Sequence, residues 1–394
     1  MTATPTLADV VAALERRYPL GGAESWDAVG LVVGDPAQPV RRVLFAVDPV
    51  AVVADEAVAW GADLLVTHHP LFLRAVHSVA ATTFKGAVAH TLVRGGVGLW
   101  AGHTNADAAA GGVAEALAEA IGLVDLAPLV AAPREPMDKV VVMVPVDRAE
   151  EMVDALAAAG AGAVGQYTRA AFTSSGQGTF EPGVDAHPAI GTPGVRQRVA
   201  EARVEMVAPR HRRETVVAAL RAAHPYEEPA FDVLEEAALA AGTGLGRVGR
   251  LPEPLRLDDF AARVAGAIPA TAQGVRYAGD PGLVVRRVAV LAGAGDGEFD
   301  AVRAAGVDAY VTSDLRHHPA SEARERALFE GRGVPALVDT AHFASEWPWL
   351  ERAARTLVAD LAAAGTTVET RVSTLCTDPW TARVGGAPDR KDSV

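Results

Sequence analysis

VLFAVDPVAVVADEAVAWGADLLVTHHP, residues 43–70, is the stretch from which the rest of the fold can be read. VLFAVD is apolar and β-branched, VVADEAVAWGA has helical composition, and DLLVTHHP is apolar until it meets His68 and His69. The order strand, helix, strand predicts a parallel sheet covered by helices, with functional side chains collecting where strands end. His68 and His69 stand at such an end.

The pattern returns near the C-terminus, where RRVAVLAGAG, DAVRAAG and VDAYVTSDLRHH (286–318) follow in the same order. Arg41, Arg42, Val43, Ala59, Gly61, Asp63, Val66 and Thr67 map at a constant offset of 245 onto Arg286, Arg287, Val288, Ala304, Gly306, Asp308, Val311 and Thr312. Duplication of one unit and convergence on a generic βα unit both predict similar local structure. A second echo follows: His103 precedes Asp107 by four residues in HTNAD, and His342 precedes Glu346 by four in HFASE, each after a short apolar strand candidate. If the halves pack about a pseudo-twofold axis, the two motifs face a common cleft.

Between the halves, KVVVMVPV (139–146) reads as a strand and RAEEMVDALAAAGA (148–161) as a helix. EARVEMVAPR (201–210), RRETVVAALRAAHP (212–225) and PAFDVLE (229–235) then read strand, helix, strand. A hairpin within GQYTRAAFTSSGQGTFEP (165–182) would complete a βαββαβ, ferredoxin-like order. The expected division is an N-terminal α/β half over 1–130, an inserted α+β domain over 136–238, a C-terminal α/β half over 240–380 and a flexible tail over 381–394.

Length and composition agree with a multidomain globular protein: 394 residues, half of them hydrophobic, with 22% charged. The net charge of −13 and the lack of a dense basic stripe argue against direct nucleic-acid binding. The first twenty residues carry no basic start followed by an apolar run, so neither secretion nor membrane insertion is expected. Cys376 is the only cysteine, which excludes an intrachain disulfide and a thiolate cluster and fits a reducing cytoplasm.

Imidazole and carboxylate suit zinc, iron or manganese, and two adjacent ions need a group able to bridge them. His68 and His69 can diverge onto two metals if a loop begins there, and Asp107 and Glu346 supply negative charge. His342 and Glu346 share a face if SEWPWLERAARTLVADLAAAG (345–365) is a helix entered at HFASE. Taken singly, HHP is an ordinary strand end and HxxxE an ordinary surface pair; their joint placement at strand ends favours a site. His317 and His318, in SDLRHHP, either line the same cleft or lie in a solvated loop. His77, His90, His187 and His211 have no motif around them.

ESWDAVGLVVGD (24–35), LLVTHHPLF (64–72), GHTNADAAAGGV (102–113), YVTSDLRHH (310–318) and DTAHFASEWP (339–348) together resemble the signature blocks of the GTP cyclohydrolase I type 2 homologue family, also called the Ngg-interacting factor three family. AVGQYTRAAFTSSGQGTFEP, HPAIGTPG and HPYEEPAFDV resemble the PII-like or CutA-like insert of its longer bacterial members. The resemblance implies two divalent ions per chain, with His68 and Asp107 on one, His69 and His342 on the other, and Glu346 bridging. It also implies a toroidal homohexamer, and places His103 near the metals, either as a residue behind the ligands or as a proton carrier. The family's tryptophan-aspartate-asparagine run departs here to Trp26, Asp27, Ala28, and its lysine and tyrosine before His318 are Arg316 and His317. The leading functional expectation is a metal-dependent hydrolase acting on a small molecule or nucleotide. The alternative is a non-catalytic, metal-loaded assembly that binds a regulator or partner. No GxxxxGKS phosphate loop is present, and GAGDGEF (293–299) is a weak substitute.

Overall fold

The strand-helix-strand unit forms as Arg42–Ala46, Ala51–Trp60 and Leu64–Thr67. The computed structural model describes residues 3–384, so from 385 onward the tail expected at 381–394 lies outside the described residues. The strands are apolar without a break because both faces are covered. Val43, Phe45, Leu64 and Val66 point into one core, while Leu44, Ala46 and Leu65 point into another, against Val53, Ala54 and Ala57 of the following helix and Val88, Ala89 and Leu92 of helix Phe84–Gly95.

The chain divides into two compact units: Met1–Ala132 with Gly242–Val394, and Pro133–Ala241. The first unit holds two sheets. One has the order Gly30–Val33, Gly98–Ala101, Leu64–Thr67, Arg42–Ala46, Glu369–Val372; the other runs Arg276–Ala278, Ala336–Thr340, Ala309–Ser313, Val284–Ala294, Ala240–Arg256, Val124–Pro133. The first sheet has four neighbouring parallel strands and the second three, and in each the first strand is an antiparallel edge. The sheets are thus mixed rather than wholly parallel as expected, because the short strands Gly30–Val33 and Arg276–Ala278 close the exposed edges from outside the repeating unit. Helices Leu7–Arg17, Val113–Ala120 and Pro348–Ala363 pack in a continuous core with one face of each sheet.

The sequence echo has a structural counterpart. Asp63 accepts hydrogen bonds from the backbone N–H groups of Arg41 (2.6 Å) and Arg42 (2.9 Å), and Asp308 accepts the same pair from Arg286 (2.9 Å) and Arg287 (2.8 Å). Each aspartate thus ties the start of one strand to the start of the next, and Gly61 and Gly306 end the preceding helices with φ of 72° and 63°. Asp63→Ala or Asp308→Ala leaves two amide donors without their acceptor. Each should lower stability by about 1–3 kcal/mol, read as a lower melting temperature, with Asp→Asn intermediate.

The two halves do not keep to their expected limits of 1–130 and 240–380. Glu369–Val372 pairs in parallel with Arg42–Ala46, completing the sheet of the N-terminal half, and Val124–Pro133 completes that of the C-terminal half. Each half lends a strand to the other because a sheet without it would leave a hydrogen-bonding edge open.

The second unit contains strands Met137–Pro145, Phe172–Phe180, Gln197–Pro209 and Phe231–Glu235 with helices Ala149–Ala158 and Arg213–Ala223. Its sheet is antiparallel in the order second, third, first, fourth. The expected hairpin differs in place: only its second part, from Phe172, is a strand, and its partner comes after residues 181–196, where prolines and glycines break regular structure. Among the described residues, no helix is long and apolar enough to cross a membrane.

Candidate metal centre

His68 and His69 follow strand Leu64–Thr67 directly, and their backbone amides continue its pairing by donating to the carbonyls of Ala46 (3.3 Å) and Val47 (2.9 Å). The Thr67 hydroxyl donates to the His69 carbonyl (2.8 Å) and bends the chain out of the strand. Adjacent imidazoles therefore reach one place from two directions, with ring centroids 5.0 Å apart.

That place is the Glu346 carboxylate, 3% exposed. His68 Nε2 lies 3.4 Å from Oε1, His69 Nε2 3.2 Å from Oε2 and His342 Nε2 2.9 Å from Oε1. His342 and Glu346 bracket the one-turn helix His342–Glu346, so their four-residue spacing stacks them as expected. Asp107, at the end of HTNAD, brings Oδ1 to 3.8 Å from His68 Nε2. All five residues expected to hold metal thus converge, across both halves of the first unit.

Each imidazole is fixed through its other nitrogen, Nδ1. His68 Nδ1 lies 2.8 Å from the Gly102 carbonyl, His69 Nδ1 2.7 Å from Asp48 and His342 Nδ1 2.6 Å from Asp314. With N–H groups there, all three turn Nε2 inward, and loss of any proton held on Nε2 leaves the tautomer a metal needs. Asp48 is further held by the Thr377 hydroxyl. Asp48, Asp314 and Thr377 were missed in the sequence. Asp48 ends VLFAVD and Asp314 stands 245 residues after His69, so the requirement for an orienting carboxylate could have found both; Thr377 has no sequence signal.

His103 differs from these three. Its Nδ1 lies 2.8 Å from Asp27, whose other oxygen accepts from the Thr104 amide (3.0 Å) and hydroxyl (2.5 Å). One ring nitrogen from each of His68, His69 and His103 lies within 4.8 Å of the others, so His103 stands at the edge of the cluster itself. A second set of this kind is His69, His342 and Glu346.

The electrostatics follow from burial and mutual contact. Burial opposes charge on His68, His69 and His342, yet the Glu346 carboxylate outweighs it: His68 is raised, His69 raised well above its ordinary value, and His342 raised to about 10. Burial likewise opposes ionisation of Glu346, but His69, His68 and His342 hold its pKa well below the usual carboxylate range. Burial, aided by Glu346 and opposed by His68, pushes Asp107 up to about 6. Burial and the neighbouring His68 lower His103, leaving it neutral at pH 7 with an Nε2 lone pair free to take a proton.

The chemistry of the donor set fits a metal. His68 Nε2 and Glu346 Oε2 are buried and make no hydrogen bond of acceptable geometry, an arrangement that is costly unless a cation completes it. Gly293 keeps the space open: a Cβ there would lie 2.7 Å from Glu346 Oε1 and 3.3 Å from the His342 ring, and its φ is +72°. A cavity of about 340 Å³ opens over the cluster, lined by Glu24, Trp26, His103, Asp107, Glu298 and Glu346 among others. His317 and His318 do not line it; both are exposed at the start of helix His317–Phe329.

Fold and site together define a mixed α/β protein that closes a buried histidine–carboxylate cluster, able to hold a metal ion, between two related sheets. A family model described as Duf34/NIF3 (NGG1p interacting factor 3) matches residues 5–379, and the chain belongs to that family. A Mycobacterium tuberculosis protein named GTP cyclohydrolase 1 type 2 homolog is 49% identical over 95% of this chain and 96% of its own. A Streptomyces coelicolor protein of the same name is 40% identical over 98% and 96%. Among solved structures, a Bacillus cereus protein related to NIF3 is 35% identical with a TM-score of 0.70, covering 96% of this chain and 99% of that one. A Staphylococcus aureus protein is 28% identical with a TM-score of 0.80 and the same coverage.

Proposed function

We propose that this chain binds two divalent metal ions at His68, His69, Asp107, His342 and Glu346 and uses them in a hydrolytic reaction. The observation that carries the reading is the approach of three imidazole Nε2 atoms, at 2.9–3.4 Å, to one buried carboxylate. When bound, the ions supply Lewis acidity and lower the pKa of water at the open side of the cluster. Glu346 and the other four ligands would hold the ions, the Nδ1 partners fix the imidazoles, and His103 Nε2, facing the cavity with Asp27 behind it, would accept a proton. The inserted unit reads as a ferredoxin-like domain on its strand order.

The cavity bears on the substrate. Glu24, Asp107, Glu298 and Glu346 line it and, among the described residues, no lysine or arginine does. A triphosphate would find four carboxylates and no lysine or arginine there, which favours substrates other than GTP despite the name carried by the relatives. The test is turnover by anaerobically purified protein of measured metal content, offered GTP, other nucleotides and phosphoesters. Activity lost in Glu346→Ala with the oligomer unchanged supports hydrolysis; metal-replete protein inert toward all of them overturns it in favour of a binding role.

Metal loading should also release protons. With His342 raised to about 10 and His69 well above its ordinary value, the metal-free site is protonated at pH 7, whereas metal needs neutral imidazole. Calorimetry in buffers of differing ionisation enthalpy should show more than one proton released per chain. The stability that His342 gains from its raised pKa is fully present below its unfolded value of about 6.5 and is lost as pH rises through about 10. Metal-free protein should therefore melt at falling temperatures over that window, and metal-loaded protein should not.

A further inference from the structure

The inserted unit contains a cavity of its own, about 440 Å³, within the range of small-molecule pockets. Its walls are largely apolar, with Met143, Phe180, Pro182, Pro188 and Ile190 among them, and residues 181–196 form one side. Two polar groups face this space with no cation to balance them, the half-buried Glu201 and the Tyr226 hydroxyl. The Tyr226 hydroxyl is buried, makes no hydrogen bond of acceptable geometry and has Glu201 as its polar neighbour. Glu201 forms no ion pair among the described residues, although Glu205 on the same strand is paired with both Arg203 (2.8 Å) and Lys139 (3.6 Å).

Both groups are held in place by their neighbours. The Tyr226 ring lies between Phe180 (centroids 5.7 Å apart) and His224 (5.0 Å). Its backbone amide donates to His224 Nδ1 at 3.0 Å, and His224 Nε2 lies 2.8 Å from the Met143 carbonyl. Glu201 lies across strand Phe172–Phe180 at Gly178, where a Cβ would stand 1.9 Å from its Oε2, so a glycine is needed for the carboxylate to rest there. No lysine or arginine lines the cavity among the described residues, while Glu227 and Glu228 stand at its margin and add negative charge.

We infer that this cavity binds a small organic cation, an ammonium or amidinium group on an apolar or aromatic body, with its N–H donors on Glu201 and its body against Phe180, Tyr226 and Ile190. A charged donor gives Glu201 the counter-ion it lacks and the Tyr226 oxygen a hydrogen bond, each stronger for the apolar surroundings. Phe180 and Tyr226 present aromatic surface suited to a cation. An anion of the same shape meets three carboxylates. Burial first and Glu201 second push the Tyr226 phenol up to about 12, so it remains neutral and adds no charge of its own at pH 7.

The test uses the full-length protein and two probes that share an indole ring but differ in charge, tryptamine and indole-3-acetate, titrated by calorimetry or ligand-observed NMR. With about a dozen heavy atoms, tryptamine should bind with a Kd on the order of 1 mM. Glu201→Gln should weaken it about tenfold and Tyr226→Phe severalfold, with indole-3-acetate failing to saturate. Metal content and melting temperature of the variants, unchanged from the parent chain, show that the cation site alone was altered. The inference is overturned if indole-3-acetate binds as well as tryptamine, if folded Glu201→Gln and Tyr226→Phe both bind tryptamine unchanged, or if tryptamine fails to saturate the parent chain.

Discussion

Glu346→Gln is expected to strip metal from the protein, lowering its content well below two ions per chain, while His103→Ala keeps both ions and reduces turnover. The glutamine preserves size and one acceptor oxygen but removes the charge on which three imidazoles converge. Two cations at the ~3.5–4 Å separation of dinuclear sites repel each other unless a bridging anion lies between them. Elemental analysis of the two variants, with size measured by light scattering, decides the matter. Full metal content in the glutamine variant together with loss in His103→Ala would exchange the two roles, and the grouping of His103 with His68 and His69 makes that comparison necessary.

A similarly large effect is expected when the chain is divided. The segment 1–125 carries His68, His69 and Asp107, and 240–394 carries His342 and Glu346. Neither holds the whole ligand set; the first lacks strand Glu369–Val372 and the second lacks strand Val124–Pro133. Separately expressed, neither segment should bind two ions, and each should expose sheet edge and apolar core and become prone to aggregation. Tight binding of two ions by the N-terminal segment alone would end the idea of a composite site.

The histidines and the two four-residue motifs were legible because each sits where an apolar strand stops, a position at which a polar side chain has little structural work to do. The local unit was legible for the same reason: an unbroken apolar run of strand length means a strand covered on both faces. What lay beyond reach depended on contacts distant in sequence. Asp27 lies 76 residues from the His103 it orients, and Thr377 lies 329 residues from Asp48. The antiparallel edge strands and the exchanged strands were hidden too, since four or five residues such as GLVV or ETRV carry no mark of which sheet will take them. His317 and His318 show the opposite failure. They repeat the doublet of His68 and His69, but the 245-residue offset gives those two places to Ser313 and Asp314, so the second doublet begins four residues later, on a helix in solvent.

The parallel pairing of Glu369–Val372 with Arg42–Ala46 also bears on how the protein is made. A ribosome releases the N-terminus first, so the sheet that carries His68 and His69, its other strands made by Ala101, waits for its last strand until roughly 270 residues more have been polymerised. Contacts of such long sequence separation close late and slowly. This core therefore closes only after residues 369–372 have been made, and the five proposed ligands cannot meet before Glu346 has been added. Premature termination anywhere before residue 369 leaves a product with an open edge, recognisable to proteases as unfinished and unable to sequester metal as the whole chain would.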